Sequence, residues 1–181
     1  MLRRLGYVAI ALSLEATTNR TCRLRNATPE RLRALIEANL TDLATVLRFN
    51  AERGIGLYRI SSQVIPFGSH PVNQVPWWRE QAARLHEIGG LIRATGARVS
   101  MHPGQFTVLS AREPAIVASA IDDLTWHSRL LDALGVGGDG KLVLHGGGAY
   151  GDKPAAMDRF VAAAAALPAS LRGRVVIEND E

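Results

Sequence analysis

The chain has 181 residues, a formal net charge of +4 and a pI near 9.8, a mild bias toward anionic partners that falls short of a dedicated nucleic-acid coat protein. Its apolar content of 47% supports a sizeable core in one or two domains, and no apolar run reaches the about 18 residues of a membrane span. The lone cysteine, Cys22, excludes an internal disulfide and fits a reducing cytosol, so a cytoplasmic protein is expected.

In chain order, Met1-Leu2-Arg3-Arg4 is basic, but Gly6 to Leu14 is followed by no small-residue cleavage site, so the start reads as a first strand, Leu5 to Ile10, rather than a signal peptide. Ala16 to Ala27 is polar and basic loop. Thr28-Pro29 pairs a capping hydroxyl with proline at the first helical position. Leu32, Leu35, Ile36, Leu40, Leu43, Val46, Leu47 and Phe49 then follow a helical period as far as Gly54. Ile55 to Ile60 is a second strand and Ser61 to Pro76 a long loop. A second helix opens at Trp77 or Trp78 and runs to about Thr95, with Gly96 as its stop signal. The third strand is Val99 to His102. Glu113-Pro114 starts a third helix that reaches Leu134-Gly135. After a glycine-rich turn, Val136 to Gly140, the fourth strand ends at His145. Lys153-Pro154 opens a fourth helix to about Leu167, and the last strand ends at Glu178.

The order β-α-β-α-β-α-β-α-β predicts an α/β fold with a parallel sheet built by right-handed crossovers. No glycine-rich phosphate fingerprint follows the first strand, which counts against a dinucleotide-binding sheet. Side chains converging from several strand ends favour a (β/α)8 barrel over a doubly wound sheet. A complete barrel needs about 250 residues. Five strands and four helices therefore predict a single domain over 1–181 that is the N-terminal part of a barrel, with its first and fifth strands left as edges.

Three apolar strands each deliver one metal-competent side chain at the carboxyl end: His102, His145 and Glu178. Two histidines and a carboxylate suit a divalent ion such as zinc or manganese, and the carboxylate could bridge two ions beside an activated water. The alternative for either histidine is a hydrogen bond to a loop. His70 sits between proline-containing turns, as a substrate or metal contact or as a turn-stabilising residue. His86 and His127 fall inside predicted helices and read as surface or core packing; Trp77, Trp78 and Trp126 read as core or interface aromatics. Gln105-Phe106 places an amide and an aromatic at a loop tip, able to probe a nucleic-acid base or replace one in a stack. Taken alone, Phe106 is more simply read as folding inward. Gly146-Gly147-Gly148 permits close backbone approach to a ligand. Tyr7 is a candidate acid, base or donor, or a barrel-filling aromatic. The Asn19 to Arg25 stretch, with Arg20, is a candidate phosphate contact or a solvated basic loop.

Together these residues resemble the UV damage endonuclease family. The likeness is carried by Leu5-Gly6-Tyr7, Thr17-Thr18-Asn19-Arg20-Thr21, Arg48-Phe49-Asn50, Tyr58-Arg59-Ile60-Ser61-Ser62 and Ile65-Pro66-Phe67-Gly68-Ser69-His70-Pro71. It continues through Ser100-Met101-His102-Pro103-Gly104-Gln105, His145-Gly146-Gly147 with Tyr150-Gly151, and Glu178-Asn179-Asp180-Glu181. It implies part of a TIM barrel related to endonuclease IV and a repair nuclease that nicks double-stranded DNA immediately 5′ to UV photoproducts. It implies a cluster of divalent ions, manganese first and zinc or magnesium otherwise, with His102, His145 and Glu178 as ligands and Glu178 also catalytic. It implies that Gln105 and Phe106 probe the gap opposite the lesion, that Tyr7 acts near the scissile phosphate, and that His70, Asn19 and Arg20 contact DNA. No organic cofactor, no membrane and a monomer at full length are expected. The family draws further ligands from later strands, so the resemblance implies an incomplete cluster and no activity for these 181 residues alone. The alternatives are a xylose-isomerase-like sugar isomerase or epimerase, which the arginine-rich first loop disfavours, and a non-catalytic damage-binding remnant.

Overall fold

The computed structural model describes residues 4–178; the sequence readings that fall on Met1 to Arg3 and on Asn179, Asp180 and Glu181 lie outside the described residues. In chain order the elements are β1 (Gly6–Val8), α1 (Pro29–Glu52), β2 (Leu57–Ile60), α2 (Trp77–Glu80), α3 (Ala82–Thr95), β3 (Arg98–Met101), α4 (Pro114–Ala133), β4 (Lys141–Leu144), α5 (Lys153–Ala166), α6 (Ala169–Arg172) and β5 (Val175–Ile177). Helix α1 begins as its sequence requires: the Thr28 hydroxyl accepts the Arg31 N–H at 3.3 Å, with Pro29 at the first helical position.

All five strands pair in parallel in the order β1-β2-β3-β4-β5. A doubly wound sheet reverses its order at a switch point. Here each strand lies beside its neighbour in sequence, the winding of a barrel. One face alternates into the core: Tyr58, Ile60, Val99, Met101, Leu142 and Leu144 are buried with Leu32, Ile36, Leu40 and Leu43 of α1, Ile88 of α3, and Leu124 and Leu130 of α4. Exposed apolar side chains gather at the two edges: Leu5, Val8, Ile10 and Leu12 around β1, and Met157, Val161 and Ile177 around β5.

Three local expectations are corrected. The predicted helix from Trp77 to Thr95 is two helices, broken at Gln81 (φ −104°, ψ 17°). Nothing in the local sequence stops it; Trp77 is buried while Trp78 lies under the Arg129 guanidinium, 4.3 Å from ring to Cζ, so tertiary packing sets the turn between them. A sixth helix, α6, fills the turn expected after Pro168, which brings the helices from four to six. Strand β1 stops at Val8 rather than Ile10, because Ala9 takes a positive φ of 54° and the Ile10 N–H turns back to the Val8 carbonyl.

Leu40 is 0% exposed and Leu12 93%. Leu40→Ala is expected to lower unfolding free energy by about 2–5 kcal/mol and Leu12→Ala by less than about 0.5 kcal/mol, as measured by urea denaturation; equal effects would contradict the assigned core.

Candidate functional site

Strands β3, β4 and β5 each end one residue before a potential ligand, and their parallel register gathers those ends. Leu144 pairs with Ile177, and the Glu178 N–H donates to the Leu144 carbonyl at 2.8 Å, so His145 and Glu178 leave the sheet side by side. One ligand atom from each of His102, His145 and Glu178 lies within 4.8 Å of the others. The two imidazole rings are 4.7 Å apart, and His102 Nε2 stands 2.8 Å from a Glu178 carboxylate oxygen. All three side chains are half-buried, open enough for a ligand and sheltered enough to strengthen charge–charge interactions.

The hydrogen bonds of His102 test whether this triad suits a cation. Its Nδ1 is 2.9 Å from the Pro103 carbonyl and its Nε2 faces the carboxylate, so both neighbours are acceptors. A neutral imidazole carries one N–H. In the tautomer with that proton on Nδ1, donated to Pro103, the Nε2 lone pair faces the carboxylate, an arrangement suited to a cation shared by the two. A histidine held by a carbonyl on its far nitrogen is the usual orientation of a metal ligand.

The loop after β3 has a different character. The Thr107 N–H donates to the Gly104 carbonyl at 2.9 Å, which closes a turn with Gln105 and Phe106 as its two central residues. Both are exposed, and Phe106 is 71% so. The inward-folding reading of Phe106 is thereby corrected. The turn is too tight to return the ring to the core, which lies instead over Gly104, where any Cβ would overlap it. Gly147 has a similar part in the β4–α5 loop: at φ 81° it packs against Ser110 and Val108, and the Ser110 hydroxyl donates to the Gly146 carbonyl at 3.0 Å. All three described non-glycine residues with positive φ, Ala9, Phe67 and Tyr150, follow strand carboxyl ends. Such conformations cost free energy and concentrate at working surfaces.

The remaining candidates are distributed around this centre. His70 accepts the Val72 N–H at Nδ1, a turn contact, and its ring meets Phe67 edge-on at 5.9 Å. It is not one of the triad; it lines, with Phe106, a cavity of about 690 Å3. Asn19 Oδ1 accepts the Thr17 hydroxyl. Arg20 pairs with Asp42 of α1 at 2.7 Å and donates to the Thr17 carbonyl, while Arg23 and Arg25 beside it are exposed. Tyr7 donates its hydroxyl to Asn50 Oδ1 of α1 at 2.8 Å, and burial pushes its pKa up.

Sequence reasoning missed the polar residues that hold the loops. Asn39 of α1, fully buried, accepts the Arg20 N–H and donates to the Arg20 and Val64 carbonyls, tying two loops to one helix. Asp123 of α4 does the same for Thr107 and Ser69. The available signal was a polar residue on the apolar stripe of an amphipathic helix. His127 is buried, as packing predicted; burial pushes its pKa down to about 4, against the attraction of Asp123.

Comparison with known proteins comes from three directions. The family described as UV-endonuclease UvdE matches residues 3–181. The UV DNA damage endonuclease of Clostridium perfringens is 38% identical over 178 residues, covering 98% of this chain and 43% of its own length. That of Bacillus cereus is 33% identical over 189 residues, covering 100% of this chain and 60% of its own. The crystal structure of SacUVDE superposes with a TM-score of 0.94 at 36% identity, over 98% of this chain and 61% of that one. The chain thus spans about half the length of the proteins it matches.

Two outcomes follow from the site. Titration calorimetry with manganese or zinc is expected to detect one divalent ion bound by the triad, with His102→Ala weakening it by roughly 100-fold or more; unchanged binding would remove the triad as the site. Below about pH 6.5 the unfolded chain protonates His127 while the folded chain resists until about 4, so this group's contribution to stability is lost as pH falls through that window. The drop in urea midpoint between pH 7 and 4.5 should therefore shrink in His127→Phe.

Proposed function

The chain belongs to the UV-endonuclease UvdE family, and from that premise we propose that it is the N-terminal portion of a DNA repair endonuclease that nicks double-stranded DNA immediately 5′ to UV photoproducts. The observation that carries the proposal is the adjacency in sequence and fold of two unlike features. His102 supplies a metal-competent ring at the end of β3, and three residues later the chain turns outward to present Gln105 and Phe106 to solvent. A hydrolytic centre and an exposed amide–aromatic pair on one loop suit a substrate whose damage is felt as weakened stacking.

In this reading His102, His145 and Glu178 hold a divalent ion, manganese first. When bound, such an ion supplies charge stabilisation and a more acidic water for phosphodiester hydrolysis. His102 contributes a lone pair whose direction is set by Pro103; Glu178 balances the charge and holds a proton-accepting oxygen at the centre. Gln105 and Phe106 enter the stack where a damaged pair is already loosened, which costs less than parting a sound one and favours distortion over sequence. His70 walls the cavity beside Phe106. The Asn19 to Arg25 loop tracks the backbone; because Arg20 is held by Asp42, the exposed Arg23 and Arg25 take the larger share of phosphate contact. Tyr7 enters through family likeness, with its hydroxyl on Asn50. The apolar side chains exposed at both sheet edges, and the share of the relatives' length that the chain spans, support further βα units completing the barrel in the whole protein.

The test is supercoiled plasmid, irradiated or not, incubated with manganese and either this chain or a form extended to the relatives' full length. The extended form is expected to nick irradiated plasmid alone, with His102→Ala reducing the rate at least about 100-fold. The 181-residue chain is expected to bind irradiated DNA and to nick it little or not at all. Equal nicking of both plasmids, or aldose–ketose turnover without nicking, would sink the proposal.

A further inference from the structure

The loops after β2 and β3 face one another across the cavity that His70 and Phe106 line, and both end on the same side chain. Asp123, in the middle of α4, is 3% exposed. One of its carboxylate oxygens accepts the Thr107 hydroxyl at 2.6 Å. The other accepts the Ser69 hydroxyl at 3.1 Å and the Trp126 indole N–H at 2.9 Å. Thr107 is the closing residue of the Gln105–Phe106 turn, and Ser69 immediately precedes His70. The carboxylate is held in turn: the Trp126 ring lies against Gly68, where a Cβ would collide with the indole, and His127 Nδ1 stands 2.7 Å from the Asp123 backbone carbonyl.

This is more than a core needs. A buried carboxylate is costly unless its lone pairs are satisfied, and here three donors satisfy them, two of which come from separate loops. What the carboxylate adds is distance control between two loops separated by tens of residues in sequence. Phe106 projects into solvent, so its own side chain does little to fix the turn that carries it. A group that must enter a duplex loses affinity for every degree of freedom frozen at contact, and holding it beforehand removes that loss.

We propose that Asp123 is a positioning residue, which through Thr107 and Ser69 sets the spacing between the Gln105–Phe106 turn and the His70 loop and thereby the preference for irradiated over undamaged duplex. This rests on the lesion-probing reading of the turn given above. It places Asp123 outside the chemistry: metal binding by His102, His145 and Glu178 does not depend on it.

Thr107→Val removes one tether while keeping side-chain shape, and Thr107→Ser keeps the hydroxyl. In the 181-residue chain, Thr107→Val is expected to speed amide exchange in residues 104–107 at least about tenfold, with α1 unchanged. It is expected to cut the preference for irradiated over undamaged duplex at least about fivefold, and Thr107→Ser is expected to restore both. Phe106→Ala should cut the preference to a similar extent, and the Thr107→Val, Phe106→Ala double variant no further, since both act through one turn. Manganese affinity should stay the same throughout. Faster exchange with the preference intact, or fully additive losses, would overturn the inference and leave the endonuclease reading standing. Unchanged exchange in Thr107→Val would overturn the tether itself. A wild-type chain that binds both duplexes alike would overturn the endonuclease reading and this inference with it.

Discussion

Everything at the candidate site depends on the parallel register of β3, β4 and β5. Parallel pairing brings strand carboxyl ends to one face, and the slanted hydrogen bonds of the ladder fix the stagger between them. The bond from the Glu178 N–H to the Leu144 carbonyl is the last rung. It extends the β4–β5 ladder by one residue beyond Ile177 and so seats Glu178 beside His145. A slip of one residue would send Glu178 to the opposite face of the sheet, because side chains alternate. The apolar alternation of Leu142 and Leu144 resists such a slip, since their burial fixes which face is inward.

Above this rigid base, the loops are held by buried polar side chains rather than by apolar packing. Asn39 on α1 and Asp123 on α4 sit on the buried faces of their helices and turn their hydrogen bonds toward loop backbone and hydroxyl groups. Arg174 serves the opposite end of the sheet. Its guanidinium, 6% exposed before β5, donates to the Val136, Gly137 and Gly140 carbonyls and pairs with Asp132, satisfying the glycine-rich turn that feeds β4. Loops carry backbone polar groups that the core cannot accept, so a donor or acceptor delivered from a helix is the economical way to pin them. The same residues explain how short strands of three or four residues support long connections without losing order.

The distribution of apolar surface tells a second story about the same sheet. Interior strands are covered on their helix side, while β1 and β5 leave apolar side chains in solvent. Exposed strand edges invite further pairing, and a closed barrel is the arrangement that removes them. The candidate triad draws His145 and Glu178 from the ends of β4 and β5, at the β5 edge of the sheet.

The alternation of periodic segments, the helix starts at Thr28-Pro29, Glu113-Pro114 and Lys153-Pro154, and the placement of His102, His145 and Glu178 just after strand ends were legible in the sequence because each rests on local chemistry. Proline fixes φ, a capping hydroxyl satisfies an orphan N–H, and an apolar run of four residues ending in histidine or glutamate announces a buried strand with a polar tip. The break at Gln81, the outward direction of Phe106, the pairing of Arg20 with Asp42 and the reach of Asp123 to Thr107 and Ser69 were not legible. Each is decided by what the rest of the chain leaves room for: a guanidinium over Trp78, a glycine beneath Phe106, a carboxylate between two hydroxyls 38 residues apart. Residue type and spacing determined which groups exist and which elements carry them. Only the folded chain decided which groups meet, because hydrogen bonds and ion pairs act over a few ångströms and those distances are set by contacts remote in sequence.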